Sequence, residues 1–529
     1  MIVCNTAAAE LVIFAIFISP AVGSAIASAA AAGVRGHPVQ ATRSTRSSTR
    51  VRIDVLHTRE DQVGPEHRAV ADAFDGRRQR DASIAEGERR KVKLLPLADC
   101  IRNGPVPADE RKGVMLHLDT GNTAFMILCS SLVMLMTPGL AFFYGGLVGR
   151  KNVLAIMMQS FASMGWTTVL WWLFGFSMCF SGDLKSGTDL GGIVGNFHWA
   201  LLRGITLSTP SPNDTIPLIV FCAYQMMFAI ITPALITGAF TNRVTFKAYM
   251  LFLTAWLVLV YFPFVHMVWG GGLLASWGVK DFAGGIVVHN IAGMAALASV
   301  LYVGARRVQD EGPHSIPLVA LGTGLLWFGW YGFNAGSEFR VDSVTAVAFL
   351  NTDLAASFAA IAWLCVDWLA SRRPRFLGLL TGAVAGLATI TPAAGYVAPS
   401  TACLIGIVSG AVCYLAVELK NRLRWDDALD VWGVHGVGGY LGIFMLGIFA
   451  STAWNPAASG GVDGLLRGGT YFFFIQWGAV TLASAWAFLF TLGMLWLIDR
   501  VTQVKVAEST EAVGLDAGIH GETAYAVGD

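Results

Sequence analysis

The stretch DFAGGIVVHNIAGMAALASVL, Asp281 to Leu301, decides the fold class. From Phe282 onward it has the length and apolarity of a membrane-spanning helix, which needs about 20 residues, yet His289 stands near its middle. An ionisable ring in lipid is costly, and inside a span it is a functional candidate by default. The rest of the chain fits a membrane setting. Of 529 residues, 55% are hydrophobic and 13% charged, with mean hydropathy +0.59, against about 25% charged in soluble domains. The 59 glycines and 17 tryptophans suit close helix packing and interfacial anchoring. A net charge of +1 leaves no electrostatic footprint for nucleic acid. The 8 cysteines are scattered with no CxxC spacing, so they read as packing residues rather than a disulfide or metal framework.

Apolar stretches of spanning length recur at 123–145, 153–180, 215–240, 246–269, 283–304, 316–336, 344–370, 376–396, 400–419, 433–451 and 470–498. The expected fold is therefore an all-α integral membrane protein of eleven transmembrane helices. Lys and Arg near span ends collect on the cytoplasmic side. One set of alternate loops holds Arg150, Lys151, Arg243, Lys247, Arg306, Arg307 and the run Arg372, Arg373 and Arg375, whereas the other set is sparse, with Lys185, Arg203, Lys280, Arg340 and Arg467. That asymmetry puts the start of the first span outside and the C-terminus in the cytoplasm of a multi-pass cell (inner) membrane protein.

Residues 1–114 read as an N-terminal extension. The run Leu11–Ala32 resembles a signal sequence or extra anchor, and ATRSTRSSTRVR from Ala41 has the composition of disorder. The natural start is expected near Met115, so that MLHLDTGNTAF opens a core of residues 115–499, followed by a cytoplasmic tail of 500–529.

The segment around His289 has an echo. VHNIAG at Val288–Gly293 matches VHGVGG at Val434–Gly439, placing His289 in the fifth span and His435 in the tenth. Each histidine is followed at i+3 and i+4 by Ala or Gly on the same helix face, where small residues let another helix approach the ring. A weaker echo links the first and sixth spans, TPGLAFFYGGLV from Thr137 and WFGWYGFNAGSE from Trp327. Two five-helix copies follow, plus a final helix. Because five is odd, the second copy enters the membrane from the opposite side. Such inverted repeats carry their site near the midplane between the halves, so His289 and His435 are expected to be neighbours.

These motifs, together with YFPFVHMVWGGG from Tyr261, YQMMFAIITPALITGAF from Tyr224 and DVWGVHGVGG from Asp430, resemble the ammonium transporter, methylammonium permease and Rhesus glycoprotein family, nearest its ammonium transporter branch. The resemblance runs from about Met115 to the C-terminus. It implies a homotrimer with one pore per subunit, ammonium or ammonia as substrate with methylammonium as a relative, and no cofactor. It assigns His289 and His435 to paired histidines lining the pore, and Phe228 and Phe333 to a phenyl gate. Trp269, Ser337, Phe228 and Tyr224 fall at the outer recruitment site, Tyr224 standing where the family often has Phe. Asp281 falls at a buried carboxylate below that site. The tail, with Gly514-Leu515-Asp516 and His520-Gly521-Glu522, resembles the family's regulatory C-terminus, which implies contact with a PII-type signal protein at the cytoplasmic face.

The residues have matching physical capacities. An indole face attracts a cation, which suits Trp269, and the Ser337 hydroxyl can accept a hydrogen from ammonium. Asp281 suits an N-cap carboxylate for the fifth span, too tightly bonded to take up a proton. Asp430, five residues before His435, is expected to hold the helix start in the second copy. Two buried neutral imidazoles, one donating to the other, give the pore a polar foothold and a proton relay. No HExxH motif or carbonyl filter such as TVGYG occurs, which argues against an enzyme and against a carbonyl-lined channel. A passive ammonia channel and an ammonium sensor remain the alternatives to proton-coupled transport.

Overall fold

The computed structural model describes residues 118–212, 214–308 and 312–525. The apolar run Leu11–Ala32 and the Arg-rich stretch after it lie outside the described residues. Eleven apolar helices follow in order: α1 (Thr120–Leu147), α2 (Arg150–Phe180), α3 (Leu218–Phe240), α4 (Phe246–Ser276), α5 (Gly285–Val303), α6 (Ile316–Glu338), α7 (Ser343–Ser371), α8 (Phe376–Ile390), α9 (Pro399–Arg422), α10 (Trp432–Phe449) and α11 (Thr470–Val501). Ten are long enough to cross a bilayer; α8 is shorter.

The helix ends follow local chemistry. Asp119 accepts from the Asn122 N–H at the start of α1 (2.6 Å), and Asp342 forms a capping box with Thr345 at the start of α7. Pro399 opens α9, where a missing N–H costs nothing. The eighth span, expected to run to 396, stops as a helix at Ile390. Pro392 alone does not explain this, because Pro233 sits inside α3 in the same ITPA sequence. The chain turns after Pro392 so that its carbonyl accepts from the Phe282 N–H (3.1 Å) and Gly395 lies under the Phe282 ring, where any Cβ would overlap it.

Small residues govern how the halves meet. Along α1 and α6, Gly332 lies against Cys129 and Leu132, Gly329 against Met136, Gly139 against Leu326, and Gly146 against Ser315 and Val319. As α1 numbers rise, α6 numbers fall, so the two helices run antiparallel. The same holds for α5 and α10: Gly293 abuts Gly436, and Gly439 abuts Asn290 and Gly285. Pairing first with sixth and fifth with tenth in opposite senses is the geometry of an inverted repeat.

Past α11 the tail returns to the helix bundle. Thr245 N–H bonds to Val504 O and Val506 N–H to Arg243 O. Further on, Leu515 N–H donates to Asn152 Oδ1, and Asp516 accepts from the Leu154 and Ala155 N–H groups (3.0 and 2.7 Å) at the start of α2. Glu511 accepts from the N–H groups of Arg307 and Val308 in the α5–α6 loop. The tail thereby ties together two loops that the sequence places on one side of the membrane.

Candidate functional site

Both histidine helices begin the same way. Asp281 lies eight residues before His289 and is 5% exposed. Its Oδ1 accepts from the N–H groups of Gly284 and Gly285, and its Oδ2 from those of Ile286 and Val287. Burial raises this carboxyl above its ordinary value, and the four N–H groups oppose that rise. Gly284 has φ 117°, and the first turn of α5, Gly285–Asn290, is a π-helix that ends beside His289. In the second copy the residue eight before His435 is Asp427. It accepts from the Trp432 N–H (2.7 Å), and the turn Trp432–Gly436 is again π-helical. Asp430 sits at the position matching Gly284 and shares its left-handed backbone, with φ 60°. The expectation that Asp430 holds the helix start is therefore corrected: Asp427 does so, and the Asp430 carboxylate turns away to pair with Lys420 at 2.6 Å. A π-turn, with its i→i+5 register, lets one residue bulge from the helix. In both copies the residue beside it is the histidine.

The two rings meet at the centre. His435 Nδ1 and His289 Nδ1 are 3.3 Å apart, with ring planes inclined by 19°. A neutral pair satisfies this contact when one Nδ1–H donates to the lone pair of the other, and the accepting ring then carries its proton on Nε2. His289 Nε2 is buried with no partner among the described residues. Trp330 stacks on His289 at 5.3 Å between centroids, its own indole N–H held by Thr391 Oγ1 at 2.9 Å.

Next to His289 stands Phe333, 6.0 Å away between ring centroids, and Phe333 stacks on Phe228 at 4.2 Å with 29° between planes. This phenyl pair separates two cavities. One, about 260 Å³, is lined by Phe333, His289, His435, Trp330, Leu235 and Val434, and reaches Arg306 and Asp430. The other, a vestibule of about 410 Å³, is lined by Phe228, Trp269, Ser337, Asp281, Glu338 and Gln225, among others. Trp269 meets Phe228 edge-on at 6.0 Å, and its N–H donates to Asp281 O at 2.8 Å. Ser337 donates its hydroxyl hydrogen to Phe333 O at 2.9 Å, which leaves the lone pairs of its oxygen to accept, one of them within 3.2 Å of the Tyr224 hydroxyl.

Tyr224 departs from its expected place. It is fully buried and does not face the vestibule; its hydroxyl lies 3.0 Å from Gly332 O, 2.8 Å from Phe333 O and 3.2 Å from Ser337 Oγ. The acceptors at the end of α6 draw the hydroxyl inward, so Tyr224 braces the backbone that carries Phe333 and Ser337.

The Ammonium Transporter Family model matches residues 124–525, which takes in both cavities, the phenyl pair and the paired histidines. The chain belongs to that family. An ammonium transporter of Bacillus subtilis is 42% identical over 410 residues, covering 77% of this chain and 99% of the relative. Ammonium transporter Amt1 of Archaeoglobus fulgidus is 41% identical over 411 residues, covering 77% and 100%. The crystal structure of Saccharomyces cerevisiae Mep2 superposes with a TM-score of 0.69 at 33% identity, covering 74% of this chain and 88% of that one.

Within this member of the Ammonium Transporter Family, several site residues escaped sequence reasoning. Asp427 was legible from the eight-residue spacing to the histidine, which repeats that of Asp281. A second repeat, ITPA at 231–234 and 390–393, ties α3 to α8, and both threonines bond back four residues, to Phe228 O and Leu387 O. Glu338 and Gln225 carried no signal beyond their neighbourhood in the chain.

Proposed function

We propose that the protein moves ammonium across a cell membrane by binding the cation in the vestibule, removing its proton there and passing neutral ammonia through the phenyl pair to the histidines. The observation that carries this reading is the apolar contact of Phe228 with Phe333 between two cavities. Forcing a bare cation through such a contact costs tens of kcal/mol in the Born limit. Removing its proton costs about 1.4 kcal/mol for each pH unit below its pKa. Ammonia is the cheaper traveller.

Each lining group then has work that fits its geometry. The Trp269 face offers a cation about 0.5–2 kcal/mol. The Ser337 oxygen, its own hydrogen committed to Phe333 O, accepts from ammonium. Asp281, saturated by backbone N–H groups, adds a fixed negative charge under the mouth. Past the gate the unpartnered His289 Nε2 donates to the ammonia lone pair, and the Nδ1 contact with His435 offers the proton a relay. Lys and Arg asymmetry puts the vestibule outside and the docked tail in the cytoplasm. The reading extends to a homotrimer, to methylammonium as a poorer substrate, and to a PII-type partner at the cytoplasmic face where the tail meets the loops.

The test is the transient current on an ammonium jump across proteoliposomes, for the wild type and for His289→Ala combined with His435→Ala. A wild-type current that vanishes in a folded variant supports ammonia and proton moving together past the histidines. Ammonia flux seen by internal pH without current makes the protein a passive channel. Absence of both overturns transport.

A further inference from the structure

The vestibule holds two carboxylates, and they differ in what their oxygens can still accept. Asp281 gives each oxygen to two backbone N–H groups, so all four lone-pair positions of the carboxylate are taken. Glu338 follows Ser337 directly and lines the same cavity as Trp269 and Phe228. Its side chain is only 8% exposed. Oε1 accepts from Arg340 Nη2 at 2.6 Å, whereas Oε2 has no protein hydrogen bond among the described residues. Arg340 is shared, since its Nε donates to Asp342 Oδ2 at 2.8 Å. One guanidinium thus holds Glu338 in place from one side and leaves its other oxygen open.

We infer that Glu338 Oε2 is the proton acceptor for ammonium at the mouth of the pore. This rests on the ammonium transport reading and names the group that performs its first chemical step. One N–H bond of ammonium breaks, its electron pair stays on nitrogen as ammonia, and the proton forms an O–H bond on Oε2. Ammonia enters the phenyl gate while the proton remains behind on Oε2, its charge cancelled by that of the carboxylate. The proton's later route, back to vestibule water or onward behind ammonia, starts from this oxygen in either case. The groups that set the readiness of Glu338 are Arg340 and Asp342 beside it in the chain, Lys280 and Asp281 from the α4–α5 loop, and Tyr396 from the turn after α8, each lining the vestibule or bonded to a residue that does.

The experiment measures ammonium-jump currents in proteoliposomes from about pH 5 to 8 for the wild type, Glu338→Gln, Glu338→Asp and Arg340→Gln, with a melting curve for each. Loss of the acceptor should lower the maximal current of Glu338→Gln about a hundredfold or more, the usual worth of a positioned base, while the half-saturating ammonium concentration moves less than about threefold. Glu338→Asp should recover part of the current. Arg340→Gln removes the neighbouring cation, so the carboxylate holds its proton more tightly and the acid limb of the profile shifts to higher pH. A folded Glu338→Gln with wild-type current and profile overturns the inference alone, as does a loss that Glu338→Asp shares in full. If Glu338→Gln does not fold, an unshifted Arg340→Gln profile overturns it. A wild type with neither current nor ammonia flux overturns the transport reading beneath it.

Discussion

A single histidine in a span would leave two ring nitrogens without water. Pairing His289 with His435 through Nδ1 settles one nitrogen on each ring, and the nitrogen left over on His289 faces no protein partner. Both histidines and Asp281 were legible in the sequence because an ionisable group inside an apolar run stands out. Asp427 is legible only through the eight-residue interval to His435 that repeats the one from Asp281 to His289, because Asp430, the carboxylate nearest His435 in the chain, pairs with Lys420 instead. Tyr224 was misplaced for another reason, since the direction of a hydroxyl is set by tertiary acceptors that no local pattern reveals. Asp427 also yields a pH prediction. Burial pushes its carboxyl up to about 6 from the usual 3.8, opposed by Lys420 and reinforced by Asp430. A raised folded value favours the protonated form, so its stabilising contribution is full below about pH 3.8 and is lost as pH rises through about 6. Asp427→Asn should therefore gain on the wild type between pH 4 and 7 by an amount on the order of 3 kcal/mol, read as the difference of the two melting curves. A difference that stays flat with pH would mean that Asp427 titrates as an ordinary carboxyl.

At the scale of the helix, glycine decides how close the rings can come. A Cβ on Gly293 would overlap the backbone of Gly436, one residue after His435. No rotamer change relieves a clash with backbone. Gly293→Ala should cost about 1–3 kcal/mol from overpacking and abolish ammonium uptake by prising α5 from α10. Gly478→Ala in α11, where an added methyl meets open space, should leave melting and uptake as they were. The small residues beside each histidine were visible from spacing alone, and so were the span count and the antiparallel sense of the copies. The early end of α8 was not visible. Its ITPA sequence is identical to one that α3 carries through without a break, and the difference lies in the Phe282 ring that Gly395 must accommodate.

Over the whole molecule, the tail is a structural member of the bundle. Asp516 takes two free N–H groups at the start of α2, and capping bonds of this kind are worth about 0.5–2 kcal/mol. Asp516→Ala should release the chain beyond Val513, speeding its cleavage by added protease about tenfold, while the melting of the helix bundle changes little. Equal cleavage in both proteins would place the holding force elsewhere, at Glu511 or at the Lys151 side chain, which bonds to Ala512 O. The sequence pointed to a tail of this type by resemblance, but its contacts reach back more than 350 residues and leave no periodic trace.

The closed phenyl contact between vestibule and histidines has a consequence for the ions that share a cell's surroundings with ammonium. Potassium carries the same single charge and can rest against the Trp269 face by the same attraction. It has no proton to surrender, so it cannot become neutral, and the apolar contact holds it back whatever its size. Selection by acidity in this way needs no filter cut to an ionic radius. A cell bathed in potassium can then gather nitrogen through this protein while its potassium gradient stays intact.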